Sequence, residues 1–265
     1  MSPAGGGCAV LAALPAYMAA IAELPLSAEL TDDVSGAVAV VQGSGDWWQA
    51  MLAARAGGAV AVVLADPAVL PREALVSHPW TGDIPVIVER PRLRPDVVAD
   101  AVAARRGSPA RIITVECVAP SSGFEAVVRD GFGWARSLAQ GPLSLKAGTA
   151  TSRGRMALLD FDTAESGPSP ATLVGTTVGG LHARGLLKVL ALGEVRTDLT
   201  IDQPAGLTRL ETSREEGALR APDRYESSAR LALRRAIQAR SEGIPVTDLG
   251  DLLEDMALTW DLLAS

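Results

Sequence analysis

The first half of the chain is a series of short apolar runs separated by segments of helical period. Cys8–Leu14, Ala37–Val41, Ala59–Leu64, Pro85–Val88 and Arg111–Val115 are each nearly continuous in apolar residues. A run without alternating polar positions marks a strand buried on both faces. Between the runs, Ala16–Leu24, Trp47–Ala56 and Asp96–Ala104 carry apolar residues at helical spacing. Strands alternating with helices predict a parallel sheet covered on both sides, placed at residues 1–118.

The second half has a different rhythm. Glu125–Ala139 has helical spacing and stops at Gly141-Pro142. Strand-like segments follow at Leu143–Ala147, Arg155–Phe161, Ala171–Val178, Leu186–Leu192 and Asp198–Asp202, separated by Gly and Pro clusters. Ser166-Gly-Pro-Ser-Pro170 reads as a turn. Two helices close the chain, Pro222–Arg240 and Asp248–Leu263, the second with a stripe of Leu249, Leu252, Leu253, Met256, Trp260 and Leu263. Residues 119–265 are therefore expected to form an α+β domain, a mostly antiparallel open sheet with helices on one face.

Composition narrows the function classes. The chain has 265 residues, 48% of them hydrophobic and 21% charged, enough apolar content for real cores. Its formal net charge of −7 argues against nucleic acid and anionic membrane as partners, because both need a basic face. Cys8 and Cys117 stand in no metal-ligand spacing, and a reducing cytoplasm is the simplest setting. The Ala-rich N-terminus lacks a basic start, and Pro15, Glu23 and Pro25 break its apolar runs short of a membrane span. Of the two histidines, His78 sits in a Pro-rich loop and His182 follows Gly179-Gly180 at a turn. Neither belongs to a ligand cluster, so no metal site is expected. Trp47-Trp48 places adjacent rings on different helix faces, which predicts one exposed ring.

Glu89-Arg90-Pro91 closes the PVIV strand and leads into Asp96–Ala104. This stretch resembles the Glu-Lys-Pro strand end of the Gfo/Idh/MocA sugar oxidoreductases. The closing GIPVTDLGDLLEDMALTWDLLAS is also similar to that family. The resemblance implies a Rossmann-like domain followed by a substrate and dimerisation domain. It implies site roles for Glu89, Arg90 and Asp130; His182, from its own place at a turn of the second domain, is the candidate to face the cleft and supply a proton. The resemblance also exposes departures. The lysine position is Arg90, which stays cationic and cannot readily hand over a proton. The family's Asp-x-x-x-His corresponds to Asp130-Gly-Phe-Gly-Trp134, and indole is no acid or base near neutrality. The glycine fingerprint falls on Ala12-Ala13-Leu14-Pro15-Ala16-Tyr17, where side chains would crowd a diphosphate. A second cofactor loop, Gly43-Ser44-Gly45, opens a helix and is followed by Asp66 at the spacing of a ribose-binding acid. The alternative for that loop is a plain strand-to-helix turn capped by Asp46.

Three functional readings follow from this pattern. The first is a catalytically degenerate accessory subunit without cofactor. It would form a homo- or hetero-oligomer through its C-terminal sheet, for instance with an active relative. The second is an NAD- or NADP-dependent oxidoreductase acting on a sugar, cyclitol or related polyol, with a variant cofactor loop. The third is a non-redox enzyme or small-ligand binder using the same cleft.

Overall fold

The apolar runs of the first half do form a parallel sheet. Strands β1 (Cys8–Leu11), β2 (Ala28–Leu30), β3 (Val38–Gln42), β4 (Ala61–Ala65) and β5 (Val86–Glu89) lie in the order β2-β1-β3-β4-β5. All four neighbouring pairs are parallel. The computed structural model describes residues 7–77, 80, 82–163, 167–179 and 185–265. Its helices are α1 (Pro15–Ala22), α2 (Trp47–Ala56), α3 (Arg72–Ser77), α4 (Pro95–Ala104), α5 (Phe124–Ala139), α6 (Ser228–Glu242) and α7 (Asp248–Ala264).

The chain divides into two compact units, and the division differs from the expected boundary at residue 118. One unit holds Met1–Ala68, Glu73–Pro91 and Arg224–Leu252; the other holds Val69–Arg72, Arg92–Asp223 and Leu253–Ser265. The reason is in the pairing. The run at Arg111–Val115 belongs to β6 (Ile112–Ala119), which hydrogen-bonds into the second sheet. Helix α6 returns to the first unit, where Ala229, Ala232, Leu233, Ala236 and Ala239 pack with Tyr17, Ala20 and Ile21 of α1 over Val10, Val38, Val63 and Ile87. Small residues on α6 let it lie close to the sheet.

The link from β2 to β3 has no helix. Both strands meet β1 at Val10, which faces Leu30 on one side and Val38 on the other. Residues 31–37 therefore step across β1 with almost no return along the strand, so a short turn suffices. Asp33 and Thr31 shape it by accepting from the Ser35 and Asp33 amides. Only one strand, β2, lies outside β1 on that side. At the other edge, the Val88 amide donates to Asp248 (3.0 Å), which also takes a two-pronged ion pair from Arg235. The carboxylate thus covers an edge-strand donor that has no sheet neighbour.

The second unit is built on an eight-stranded sheet, β13-β12-β11-β10-β6-β9-β8-β7. Its strands after β6 are β7 (Leu143–Thr151), β8 (Gly154–Thr163), β9 (Gly167–Thr177), β10 (Leu186–Leu192), β11 (Arg196–Asp202), β12 (Leu207–Arg214) and β13 (Gly217–Arg220). Only β6 and β9 pair in parallel. Alternate residues, such as Val115, Cys117, Leu159, Leu173, Leu187 and Leu199, join the α5 side chains Val127, Val128, Phe132 and Trp134 in one core. Helix α5 sits so close that a Cβ on Gly131 would come within 2.9 Å of the Cys117 sulfur.

Gly167–Pro170 is the start of β9 and not a turn. Pro168 and Pro170 are tolerated there because β6 joins β9 only from Ala171 onward, leaving one flank unpaired. Trp47 and Trp48 are both buried. Trp47 donates its indole N–H to the Ala68 carbonyl (3.0 Å) and leans against Trp80, so neither adjacent ring is left to solvent. No described helix is long and apolar enough to cross a membrane.

Candidate functional site

In open parallel sheets, ligands bind beyond the carboxyl ends of the strands where the winding reverses. Here that point lies at β1 and β3. The first unit gathers several of the sequence-predicted residues along this edge. Gly43 follows β3, Asp66 follows β4, and Glu89 and Arg90 close β5. Backbone bonds tie the turns together. Gly43 N–H donates to Ala65 O (2.9 Å), Ala68 N–H to Gly43 O (2.7 Å), and Asp66 N–H to Glu89 O (2.9 Å).

These bonds explain the two glycines without a ligand. A Cβ on Gly43 would collide with the Ala65 carbonyl and the Pro67 backbone. Gly45 has φ +59° in open space, a conformation that side chains disfavour. Asp46 stands at the N-cap of α2, but its side chain makes no capping bond, contrary to the expected role. Asp66 is exposed and bends the chain with φ 43°. Its spacing from Gly43 therefore reflects a tight turn between neighbouring strands.

The turn from β1 to α1 corrects the steric objection raised by the sequence. Tyr17, its bulkiest residue, does not lie over the turn. It points into the core at 1% exposure, and its hydroxyl donates to Glu89 (2.7 Å). What remains at the turn surface is small: Ala13, Pro15 and Ala16 are exposed, and Ala12 and Leu14 half-buried. Pro15 at the first helical position has no N–H, and the Tyr17 and Met18 amides bond back to Leu14 O. The fit to a diphosphate is thus partial. The helix N-terminus and the Ala16 amide are available, and the backbone stands one methyl group further off than glycine would allow.

Burial, then the Glu89 charge and hydrogen bond, then Asp66 push the Tyr17 phenol far above its ordinary range. It is therefore neutral near physiological pH. Glu89 is fixed as an acceptor and Tyr17 as a donor.

Asp130 belongs to the other unit. It is completely buried on α5 and receives Arg92 Nε (2.7 Å) on one oxygen and Arg129 Nε and Nη2 (3.0 and 2.8 Å) on the other. Arg92 continues to Gln203 (2.9 Å). Trp134 is also fully buried, and its indole donates to the Arg92 carbonyl (2.7 Å). Trp134 therefore anchors the backbone beside the arginine that holds Asp130. Arg92, which holds this carboxylate, was not singled out from the sequence. The repeat Arg90, Arg92, Arg94 around two prolines was the available signal. His182 and His78 lie outside the described residues. Among the described residues no group of three His, Cys, Asp or Glu side chains is placed to hold a metal, and both cysteines are free.

No protein-family model matches the chain, and no curated protein matches it by sequence. Solved structures do. The fold is similar to that of an oxidoreductase from Sinorhizobium meliloti, at 12% identity over 97% of this chain and 96% of that one, with a TM-score of 0.66. It is similar to the dehydrogenase MviM from Clostridium difficile, at 10% identity over 97% and 98%, TM-score 0.65. It is also similar to KijD10, a 3-ketoreductase from Actinomadura kijaniata solved with NADP and TDP-benzene, at 13% identity over 97% and 88%, TM-score 0.58. The architecture is the two-domain fold of the Gfo/Idh/MocA-type oxidoreductases, as the sequence resemblance implied.

Two predictions follow from this geometry. Asp130→Asn leaves two buried guanidinium groups short of a counter-charge and is expected to destabilise the protein by ~3–5 kcal/mol, read as a fall in the denaturant midpoint. A midpoint within experimental error of the parent would mean that the cluster is relaxed. Tyr17 has its folded pKa raised, so its contribution to stability is complete below the unfolded value of about 10 and is lost as pH rises beyond it. In alkaline titration at 295 nm, one of the two tyrosines, Tyr17 and Tyr225, is expected to stay un-ionised until unfolding. Tyr17→Phe should remove only that late step.

Proposed function

We propose that the chain is an NAD- or NADP-dependent oxidoreductase acting on a sugar, cyclitol or related polyol, with a weak hold on its cofactor. The observation that carries this reading is the whole-length fold. About 97% of the chain superposes on proteins described as an oxidoreductase, a dehydrogenase and a 3-ketoreductase, and covers 88–98% of each of them. The cleared surface of the β1–α1 turn supports it, because the residues there are alanines and a proline and not the buried tyrosine.

On this reading the nicotinamide supplies or accepts a hydride. The protein's own part is positioning. The first turn of α1 faces the diphosphate with the Ala16 amide. Glu89 is held in place by Tyr17, and Arg90 offers a fixed positive charge at the end of β5. An arginine there binds an anionic or hydroxyl oxygen and does not donate a proton. Gly43, Gly45 and Asp66 are left with structural roles.

A second reading, the accessory subunit, is favoured by one specific observation. Trp134 and Asp130, which the resemblance aligns with the family's catalytic pair, are fully buried and engaged in structural bonds. Titration of NADPH and NADH followed by nicotinamide fluorescence separates the two. Saturable binding with a dissociation constant in the range of ~0.1–1 mM is expected, weaker than a glycine loop would give. Absence of binding at several millimolar would remove the first reading and leave the second.

For either reading we propose self-association through the uncovered face of the large sheet. Met156 and Leu158 of β8, Val174 of β9 and Leu192 of β10 face outward there, each at least 37% exposed. They lie within the four-strand stretch β10-β6-β9-β8. Leu158→Glu with Val174→Glu is expected to convert a dimer to a monomer in light scattering. A monomeric parent protein at tens of micromolar would rule out the interface.

A further inference from the structure

The turn after α4 collects arginines without acids. Arg105 is completely buried. Its Nε donates to Ser108 O (3.1 Å), and one terminal nitrogen donates to Val195 O (3.0 Å) and Thr197 Oγ1 (3.0 Å). Its other terminal nitrogen, Nη2, has no partner among the described residues. Burial first, and the Arg214 charge second, press its guanidinium below the usual range, so the two cations feel each other directly. Arg214 Nη2 donates to the Ala104 carbonyl (2.6 Å) at the end of α4. Arg106, next along, turns out to solvent with φ 51°. None of the three makes an ion pair among the described residues. Glu194, the acid of the β10–β11 turn, accepts from Ser108 instead.

A cavity of about 410 Å³ opens beside them in the second unit, bounded by Ala104, Arg106, Thr212, Arg214, Glu216 and the β13 residues Gly217–Leu219. Thr212 is 6% exposed, lines this cavity, and its hydroxyl makes no hydrogen bond to a described residue. Thr212 sits directly across from Thr197, the residue that holds Arg105. The space thus has a hydroxyl in its floor, two arginines on its wall and a third cation one strand away.

The end of a helix carries a partial negative charge of about half a unit, which offsets only a fraction of three guanidinium charges. Glu216 is the single carboxylate on the wall. Buried cations normally come with a counter-ion, because leaving one unpaired costs several kcal/mol.

We propose that this cavity binds a phosphate-type oxyanion, with Arg106 and Arg214 as its charged ligands and Thr212 as a hydroxyl donor. Arg105 is a positioning residue, its charge held behind the Thr197–Thr212 pair. The volume exceeds that of an inorganic ion and lies in the range of small-metabolite sites, so the shared chemistry is a phosphoryl group, free or esterified. The site lies wholly within the second unit and does not rest on the cofactor reading above.

The test is isothermal titration of the full-length protein with inorganic phosphate and with ribose 5-phosphate, at constant ionic strength in chloride. One saturable site is expected for both. Arg106→Asn, suited to the left-handed backbone, and Arg214→Met should each weaken it about tenfold or more. Glu216→Gln should tighten it, because it removes the opposing charge. Tighter binding of ribose 5-phosphate than of phosphate assigns an ester as the ligand, and equal binding assigns the free anion. Circular dichroism and thermal midpoints check that each variant is folded. If phosphate binds both arginine variants as it binds the parent, or binds none of them, the proposal is wrong. Should Arg214→Met unfold, Arg106→Asn and Glu216→Gln decide alone, since both side chains are exposed.

Discussion

A carboxylate with no access to water, held between two guanidinium groups, is the constraint around which the second unit is organised. Asp130 cannot be taken out of water without compensation, and Arg92 and Arg129 supply it with three short bonds. Each partner ties down a different piece of chain. Arg129 comes from α5 itself. Arg92 brings the segment that leaves β5, is held again by Trp134 through its carbonyl, and reaches Gln203 after β11. The next residue, Gly131, lets α5 settle onto β6 and β9 at a distance no larger residue allows. Charge and close packing at consecutive positions therefore fix one helix, one entering segment and one turn.

Arginine does in this chain what lysine does elsewhere, and the change of residue type changes the chemistry. Only two lysines are present, Lys146 and Lys188, and both lie on strands of the second sheet. Arg90, Arg92, Arg105 and Arg129 are all buried. A guanidinium keeps its charge under burial and offers several donors in a rigid plane. It can organise backbone carbonyls, as Arg105 does around Ser108 and Val195, or lock a carboxylate, as Arg92 and Arg129 do. The positive charges here are fixtures and not proton carriers.

Those fixtures also mark the limit of what the sequence made visible. The strands of the first sheet could be read because both faces are buried and no polar residue interrupts them. Helix α5 could be read because its polar and apolar faces separate cleanly. β2 was missed because three residues, Ala28–Leu30, carry no period. β12 and β13 were missed because one of their faces meets water and the runs LTRLETSR and GALR look like loop. The domain boundary was misplaced for a different reason. The return of α6 to the first unit rests on small side chains packing with residues about 140 to 230 positions away, and alanines give no sign of what they will touch. At Gly43, Gly45 and Asp66, backbone collisions and a tight turn account for the spacing, so the spacing alone does not call for a ligand.

The Tyr17–Glu89 pair bears on the chemistry any reaction at the first sheet could use. A phenol pressed upward by burial and by a neighbouring carboxylate does not ionise near neutrality. Tyr17 therefore cannot pass a proton on demand. Arg90 cannot either. A carbonyl reduced at this edge would place its developing negative charge against guanidinium and backbone dipoles, and would take its proton from water or from the substrate's own hydroxyls. Such an arrangement favours substrates whose oxygen anion is already stabilised by neighbouring electron-withdrawing groups, as in densely hydroxylated rings. It disfavours simple ketones, for which a positioned general acid is worth a factor of about 10²–10⁴. On the proposed reading, an arginine where the resemblance implies a lysine would limit which substrates could be turned over, whatever the affinity for the dinucleotide.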